Sequence, residues 1–200
     1  SYIMGTLFVD KLDPQSGTAL EIGSSGDTMT VPSGATFNVA GTLQSGGAAV
    51  ANSKLFYAYL NSNQDTLQNN TFVKVNMGHE VFDVDSVYDT SSYKYIPAST
   101  GYYYLNAGVK IRQLNTYMRE VGIAIYKNGS MIMREIQMFG TSDIIGNDYS
   151  VTVNSVHNSA STSDYFEVYA FYNTGSGSNN YRATAEQEMT YFTGYKLITW

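Results

Sequence analysis

Cysteine is absent from this 200-residue chain. That excludes a disulfide scaffold, a cysteine nucleophile and a thiolate zinc site. Histidine occurs only as His79 and His157. There is no Gly-x-Ser-x-Gly elbow, HExxH pair, phosphate-binding loop or GxGxxG turn, so the signatures of several common hydrolase, metalloprotease and nucleotide chemistries are missing. Charge is scarce. Lys+Arg number 11 and Asp+Glu 17, together 14% of the chain, against about 25% in an average soluble domain. A coiled coil or extended helical protein is thereby disfavoured. The formal net charge of -6 disfavours nucleic acid and anionic membranes as partners, since both reward a basic face. No apolar run approaches the ~18 residues of a spanning helix, so no membrane insertion is expected. The opening SYIMGTLFVDK has no basic stretch before its short apolar run and is not expected to act as a secretory signal.

What is present is aromatic and unevenly spread. The chain holds 18 Tyr, 9 Phe and 1 Trp, yet only Tyr2, Phe8 and Phe37 fall in residues 1–53. Glycine runs the other way, with 8 of 18 in those residues. The shift marks a boundary near SGGAAVANS, residues 45–53, small and flexible enough for a neck. Residues 1–53 are expected to form an N-terminal attachment segment and stem, and 54–200 a head.

The first region has a short rhythm. Leu20 and Ile22 flank Glu21, Met29 and Val31 flank Thr30, and Phe37 and Val39 flank Asn38. Each trio reads as a strand fragment, and GSSGD and PSGAT between them are turn chemistry. So short a segment has too little apolar surface for its own core. Sharing a core with copies of itself, three chains in a thin β-structured stem, resolves this. The alternative is a disordered low-complexity tail.

The second region alternates aromatic or β-branched with polar residues, the period-2 signature. Strands are expected over 55–60, 72–77, 80–84, 102–111, 121–126, 131–138, 150–156, 166–172 and 189–198. Asn128-Gly129 between IAIYK and SMIMREI is a strong hairpin signal. A helix is expected only over 113–120, without clean caps. Nine strands in this length mean an all-β antiparallel sandwich or jelly roll.

The order of motifs resembles the C1q/TNF-like jelly roll. FYAYL, 56–60, is similar to that family's opening strand. Tyr95-Ile96-Pro97-Ala98-Ser99-Thr100-Gly101-Tyr102-Tyr103-Tyr104 is similar to its aromatic–proline–glycine–tyrosine block, with the proline one place early. IAIYKNG, 123–129, resembles the strand ending in an Asn-Gly turn, and YFEVYAFYN, 165–173, the penultimate strand, preceded here by Ser163-Asp164 rather than Gly-Asp. Phe192-Thr193-Gly194-Tyr195-Lys196-Leu197-Ile198 resembles the closing strand. DPQSGTALEIGSSGDTMTVPSGATFNVAGTL resembles, in composition and cadence, stem segments of tailed-bacteriophage fibres. The resemblances imply a homotrimer.

Candidate chemistry is thin. Asp83 and Asp85 would share one strand face about 6.6–7 Å apart, with Asp89 nearby, a spacing open to a glycosidase or to a polar connection. His79-Glu80 reads as a turn cap. No resident cofactor is expected. Calcium is the one ion the resemblance admits, since relatives of the C1q head hold it near the trimer axis, and Asp143, Asn147 and Asp148 supply loop oxygens. Tyr102, Tyr104, Tyr169 and Tyr195 read as core or interface packing. Tyr117, Tyr149 and Tyr181 read as loop aromatics beside polar neighbours, suited to sugar stacking or to a trimer rim.

These readings converge on a binding protein rather than an enzyme: a homotrimeric virion fibre of a tailed bacteriophage, assembled in the host cytoplasm. It would be attached to a virion protein, with its head on a host-surface glycan or protein. A capsid-head fibre or decoration protein of the same design, a polysaccharide-degrading tail enzyme and a soluble TNF-like ligand are the alternatives. Connections in a jelly roll alternate between its two ends. That places the loops 173–188 and 139–148 at one end, with the Asn128-Gly129 turn and 158–164 at the other. Long loops of this kind carry function. Asn179, Asn180, Tyr181 and Arg182, helped by Asp143, Asn147 and Asp148, are the expected receptor contacts.

Overall fold

The computed structural model describes residues 12, 16–20, 22–45, 48–49, 54–65, 67–114, 118–139, 148–175 and 181–197. The chain divides into two compact units, Ser1–Gln44 and Ser45–Trp200, a division somewhat earlier than the composition shift at 53/54.

In the first unit the two expected turns form. Asp27 N donates to Ser24 O (3.0 Å), Ser24 N donates back to the Asp27 carboxylate (2.7 Å), and Ala35 N donates to Pro32 O (3.0 Å). The trios between them, expected as strands, are not strands among the described residues, because a ladder needs a partner and one copy supplies none. Ile22, Met29 and Phe37 are exposed at 64%, 61% and 58%.

After the two-residue strands β1 (Gln44–Ser45) and β2 (Ala48–Ala49), the second unit is built from β3 (Phe56–Tyr59), β4 (Val73–Lys74), β5 (His79–Asp83), β6 (Tyr88–Asp89), β7 (Lys94–Tyr95), β8 (Gly101–Gln113), β9 (Glu120–Lys127), β10 (Ser130–Met138), β11 (Asp148–Ser159), β12 (Phe166–Asn173), β13 (Tyr181–Ala183) and β14 (Tyr191–Lys196). Each of the nine expected runs overlaps one of these strands, and β8 to β12 extend beyond their expected bounds. The helix expected over 113–120 is not found. Gln113 closes β8, where it pairs with Tyr181, and Glu120 opens β9, while 115–117 lie outside the described residues. No helix occurs among the described residues.

Among the described residues β1 and β2 pair with each other, and the strands from β3 onward form two antiparallel sheets. One runs β11-β8-β14-β3-β5, with β13 added to β8. The other runs β10-β9-β12-β7-β6, with β4 added to β12. The closing strand lies beside the opening one, with Phe56 opposite Gly194 and Tyr59 opposite Tyr191. Asn128 and Gly129 have φ of 52° and 78°, the left-handed pair of the hairpin turn that joins β9 to β10.

Alternation buries one face of each strand. Tyr103, Leu105, Ala107, Val109 and Ile111 of β8 are fully buried against Ile123, Ile125, Phe166, Val168 and Ala170 of the opposite sheet. The aromatic block seen in the sequence meets here. Tyr95 stacks on Phe56 at 4.3 Å and lies edge-on to Tyr103 at 5.9 Å. Burial of a tyrosine requires a partner for its hydroxyl. Tyr95 donates to Lys54 O (2.7 Å), Tyr103 to Ser99 O (2.9 Å) and Tyr88 to Met77 O (3.0 Å). Desolvation raises the pKa of all three phenols.

Candidate receptor-binding surface

The pairings sort the connections by end, as the alternation implied. Asn173 pairs with Glu120, Phe139 N donates to Arg119 O (2.8 Å), and Asp148 pairs with Arg112. The described ends of the loops at 139–148 and 173–188 therefore share one end of the head. Leu60–Asp65 joins them, because Leu60 N donates to Thr190 O and Gln64 and Ala183 exchange two backbone bonds.

The opposite end is closed by one carboxylate. Asp164, 5% exposed, accepts from Asn128 Nδ2 (2.7 Å), Ala160 N (2.8 Å) and Ser161 N (3.2 Å), and pairs with Lys127 Nζ at 2.9 Å. Asn128 Oδ1 accepts from Tyr165 N (3.0 Å). These bonds, that to Asn128 foremost, hold Asp164 far below the ordinary carboxylate range. Asp83 and Asp85 do not share a strand face. Asp83 ends β5 and accepts from Val87 N and Tyr88 N (2.8 and 3.0 Å). Asp85 lies in a turn at φ 72° and pairs with Lys54 at 3.6 Å. His79 opens β5 rather than capping a turn, 5.8 Å from the Tyr59 ring.

At the loop end, four of the expected contacts, Asp143, Asn147, Asn179 and Asn180, lie outside the described residues, as does Tyr117. The other three are placed. Tyr181 was expected as an exposed loop aromatic. It opens strand β13 instead, is 1% exposed and stacks on Tyr172 at 4.2 Å. Its ring belongs to the core because Tyr181 and Ala183 alternate inward along β13, leaving Arg182 outward. Arg182 Nε pairs with Asp65 at 2.7 Å. Asp148 receives Arg112 through Nε (2.7 Å) and Nη2 (2.8 Å), and Lys110 Nζ at 3.1 Å. The Arg112 bond is the main cause holding Asp148 at about 2. Lys110 also bonds both Glu186 oxygens, at 2.8 and 2.9 Å, and is raised by that bond. Of the three oxygens the resemblance offered to calcium, Asp148 is paired with Arg112 and Lys110, while Asp143 and Asn147 lie outside the described residues. Among the described residues no three metal-ligating side chains come together. Tyr149 packs on Phe139 at 4.4 Å. The sequence reading missed Lys110, Arg112, Glu186 and Asp65. The polar outward positions closing the β8 run were the available signal for the two cations.

The outward face of the β11-β8-β14-β3-β5 sheet is aromatic. Tyr57 stacks on Tyr191 at 5.6 Å and lies 6.1 Å from Phe82, and Tyr104 lies 5.4 Å from Tyr195. Tyr102 and Val156 are 50% and 52% exposed. Gly108 keeps this face flat, since an added Cβ would stand 2.7 Å from Tyr191 Cε1 and 3.0 Å from Met189 O. Tyr169 lies on the other sheet, stacked on Tyr126 at 4.0 Å.

This architecture is the C1q/TNF-like jelly roll. Two solved structures share it: mouse APRIL, of the TNF family, at TM-score 0.51 and 14% identity over 72% of this chain and 97% of that one, and the globular domain of zebrafish complement 1qA at TM-score 0.50 and 10% identity over 73% and 98%. No protein-family model matches the sequence, and no curated protein matches it.

Proposed function

We propose that the protein is a homotrimeric virion fibre of a tailed bacteriophage, whose jelly-roll head binds a receptor on the host surface without turning it over. The observation that carries the trimer is the outward tyrosine face. Contiguous aromatic surface on one sheet face is costly in water and marks an interaction site, and closed threefold symmetry hides such a face in every copy. The exposed Met29, Val31, Phe37 and Val39 of the first unit ask for the same remedy. The fibre role rests on the cadence of that unit, and virion attachment and assembly in the host cytoplasm go with it. Three identical weak sites acting together raise avidity. The loop end, with Arg182, Asp148 and the loops bearing Asp143, Asn147, Asn179 and Asn180, is the surface proposed to meet the receptor.

Light scattering of the purified chain tests the trimer. A mass about three times 22.0 kDa is expected, and a stable monomer at micromolar concentration overturns it. Electron microscopy of intact particles with an antibody to the head tests the fibre. Label on tail or capsid projections is expected, and unlabelled particles overturn it.

A further inference from the structure

A cleft on the flank of the head opens between the segment 60–65, the stretch 76–78 and the turn 90–93. Its volume is about 280 Å³, near the ~300 Å³ lower end of ligand pockets, which suits one small ring rather than an extended chain. Its polar lining is mainly carboxamide: Asn61, Asn63, Gln64 and Asn76, with Tyr93 and Asp65. A carboxamide offers donors and an acceptor in one plane, the pattern that answers neighbouring hydroxyls on a sugar ring.

The walls are fixed before any ligand arrives. Gln64 is 7% exposed; its Nε2 donates to Lys74 O (2.8 Å) and its Oε1 accepts from Asn76 N (2.8 Å), tying two walls together. Asn63 Oδ1 accepts from Ala185 N (2.9 Å), which leaves its amide nitrogen for other use. Tyr93 sits at φ 56°, a conformation a bulky residue adopts only when its surroundings impose it. The turn that leads into it is held by the Asp89 carboxylate, which accepts from Ser91 N (2.9 Å), Ser91 Oγ (2.6 Å) and Ser92 Oγ (2.5 Å). The floor is Gly78. A Cβ there would stand 3.6 Å from Tyr93 Cε1 and 3.7 Å from Asn61 Oδ1, so the missing side chain is what leaves the gap between ring and amide open.

The charge balance selects the ligand. Asp65 is neutralised by Arg182 (2.7 Å). Lys74, beside the Tyr93 ring, is held by Ser92 O (2.8 Å) and Glu167 (2.9 Å). Every charge at this cleft among the described residues therefore has its partner. We infer that the cleft binds an uncharged pyranose unit, with the Tyr93 ring against the sugar face and Asn61 and Asn76 on its hydroxyls. The inference rests on the reading of the head as a receptor binder and supplies the class of receptor, a neutral glycan.

The test is an array of immobilised oligosaccharides, some neutral hexose-containing and some carrying uronate or sialate, probed with the full-length chain. Three variants accompany it: Gly78→Leu, which fills the gap without removing a polar group; Tyr93→Gly, which keeps the left-handed backbone; and Asn61→Ala. The wild type is expected on neutral glycans, with each variant at least about tenfold weaker, the equivalent of one lost contact of ~1.4 kcal/mol, at unchanged trimer mass and thermal midpoint. Three results each overturn the inference: no neutral glycan bound, only acidic glycans bound, or Gly78→Leu and Asn61→Ala both binding as the wild type. Adhesion of the wild type to host cells is measured in parallel. Adhesion without neutral glycan binding sinks the cleft and leaves the receptor role standing. Glycan binding without adhesion does the reverse.

Discussion

The two units treat apolar side chains in opposite ways. The second encloses Phe56, Leu105, Ile123, Phe166 and Phe192 at 1% exposure or less, while the first leaves Leu20, Ile22, Met29 and Phe37 at 47% or more. Both regions alternate apolar and polar residues, so pattern alone does not produce a core. In the second unit every strand finds a partner within the chain, and the alternation becomes two faces of a sandwich. In the first, the turns form but each trio has no strand beside it among the described residues. Local chemistry suffices for turns, whereas burial needs a second surface.

The sharpest way to break this contrast is to change the first unit alone. In the proposed trimer, Phe37→Asp with Val39→Asp should remove roughly 2 kcal/mol of burial per side chain, in each of three chains. Limited proteolysis should then cut residues 12–44 faster while the head melts as before. Unchanged protease resistance would mean that these side chains face water in the assembly too. A smaller effect, confined to the second unit, is expected from Asp164→Ala. It orphans Asn128 Nδ2 and two backbone amides and leaves Lys127 with Asn158 O alone, and should cost about 3 kcal/mol. Denaturant unfolding of the head measures it, and a loss under about 1 kcal/mol would show that the turn at Asn128-Gly129 holds without its carboxylate.

Gly108→Ala comes next. The added methyl meets the Tyr191 ring and the Met189 carbonyl, for about 1–2 kcal/mol. Because it displaces a ring on the outward face, dissociation of the proposed trimer on dilution should rise with it, and a trimer as tight as wild type would place the interface elsewhere. The smallest effect is Asp148→Asn. The folded carboxyl, held mainly by Arg112, titrates at about 2, below its ordinary 3.8. Its contribution is present above pH 4 and fades as pH falls through 2. For so exposed a cluster it should be under about 1 kcal/mol at pH 7. Thermal midpoints of variant and wild type should therefore converge on acidification. A gap that widens toward low pH would contradict the direction of the shift.

The long strands and the Asn128-Gly129 hairpin were legible because eight or more alternating residues outweigh local noise, and because few dipeptides adopt that turn. β6, β7 and β13, of two or three residues each, carry no period to read. β7 and β13 form because Phe166 and Gln113 present ladder partners far off in sequence, and β6 then pairs with its near neighbour β7. Tyr181 shows the cost. Surrounded by Asn, Gly and Ser it reads as loop tip, and only its spacing from Ala183 hints at an inward face. The cleft at Tyr93 was illegible for a related reason. Asn61, Asn76 and Tyr93 are unremarkable singly, and the fold alone brings them around Gly78.

The pairing of β3 with β14 also sets a timetable. Thr193 Oγ1 donates to Phe56 O across 137 residues of sequence, and β14 lies between β3 and β8 in the sheet. At about 5–20 residues per second of synthesis, β3 leaves the ribosome roughly 7–27 s before its neighbour exists. β5 reaches it sooner and covers one edge, but the other edge waits, with Phe56 and Ala58 unable to complete the core. Non-local closure of this kind is slow and exposes unpaired strand edges meanwhile. The six residues of β14 therefore act as a clasp, and until they arrive a growing head has an open seam to which a neighbouring nascent chain can add its own strand.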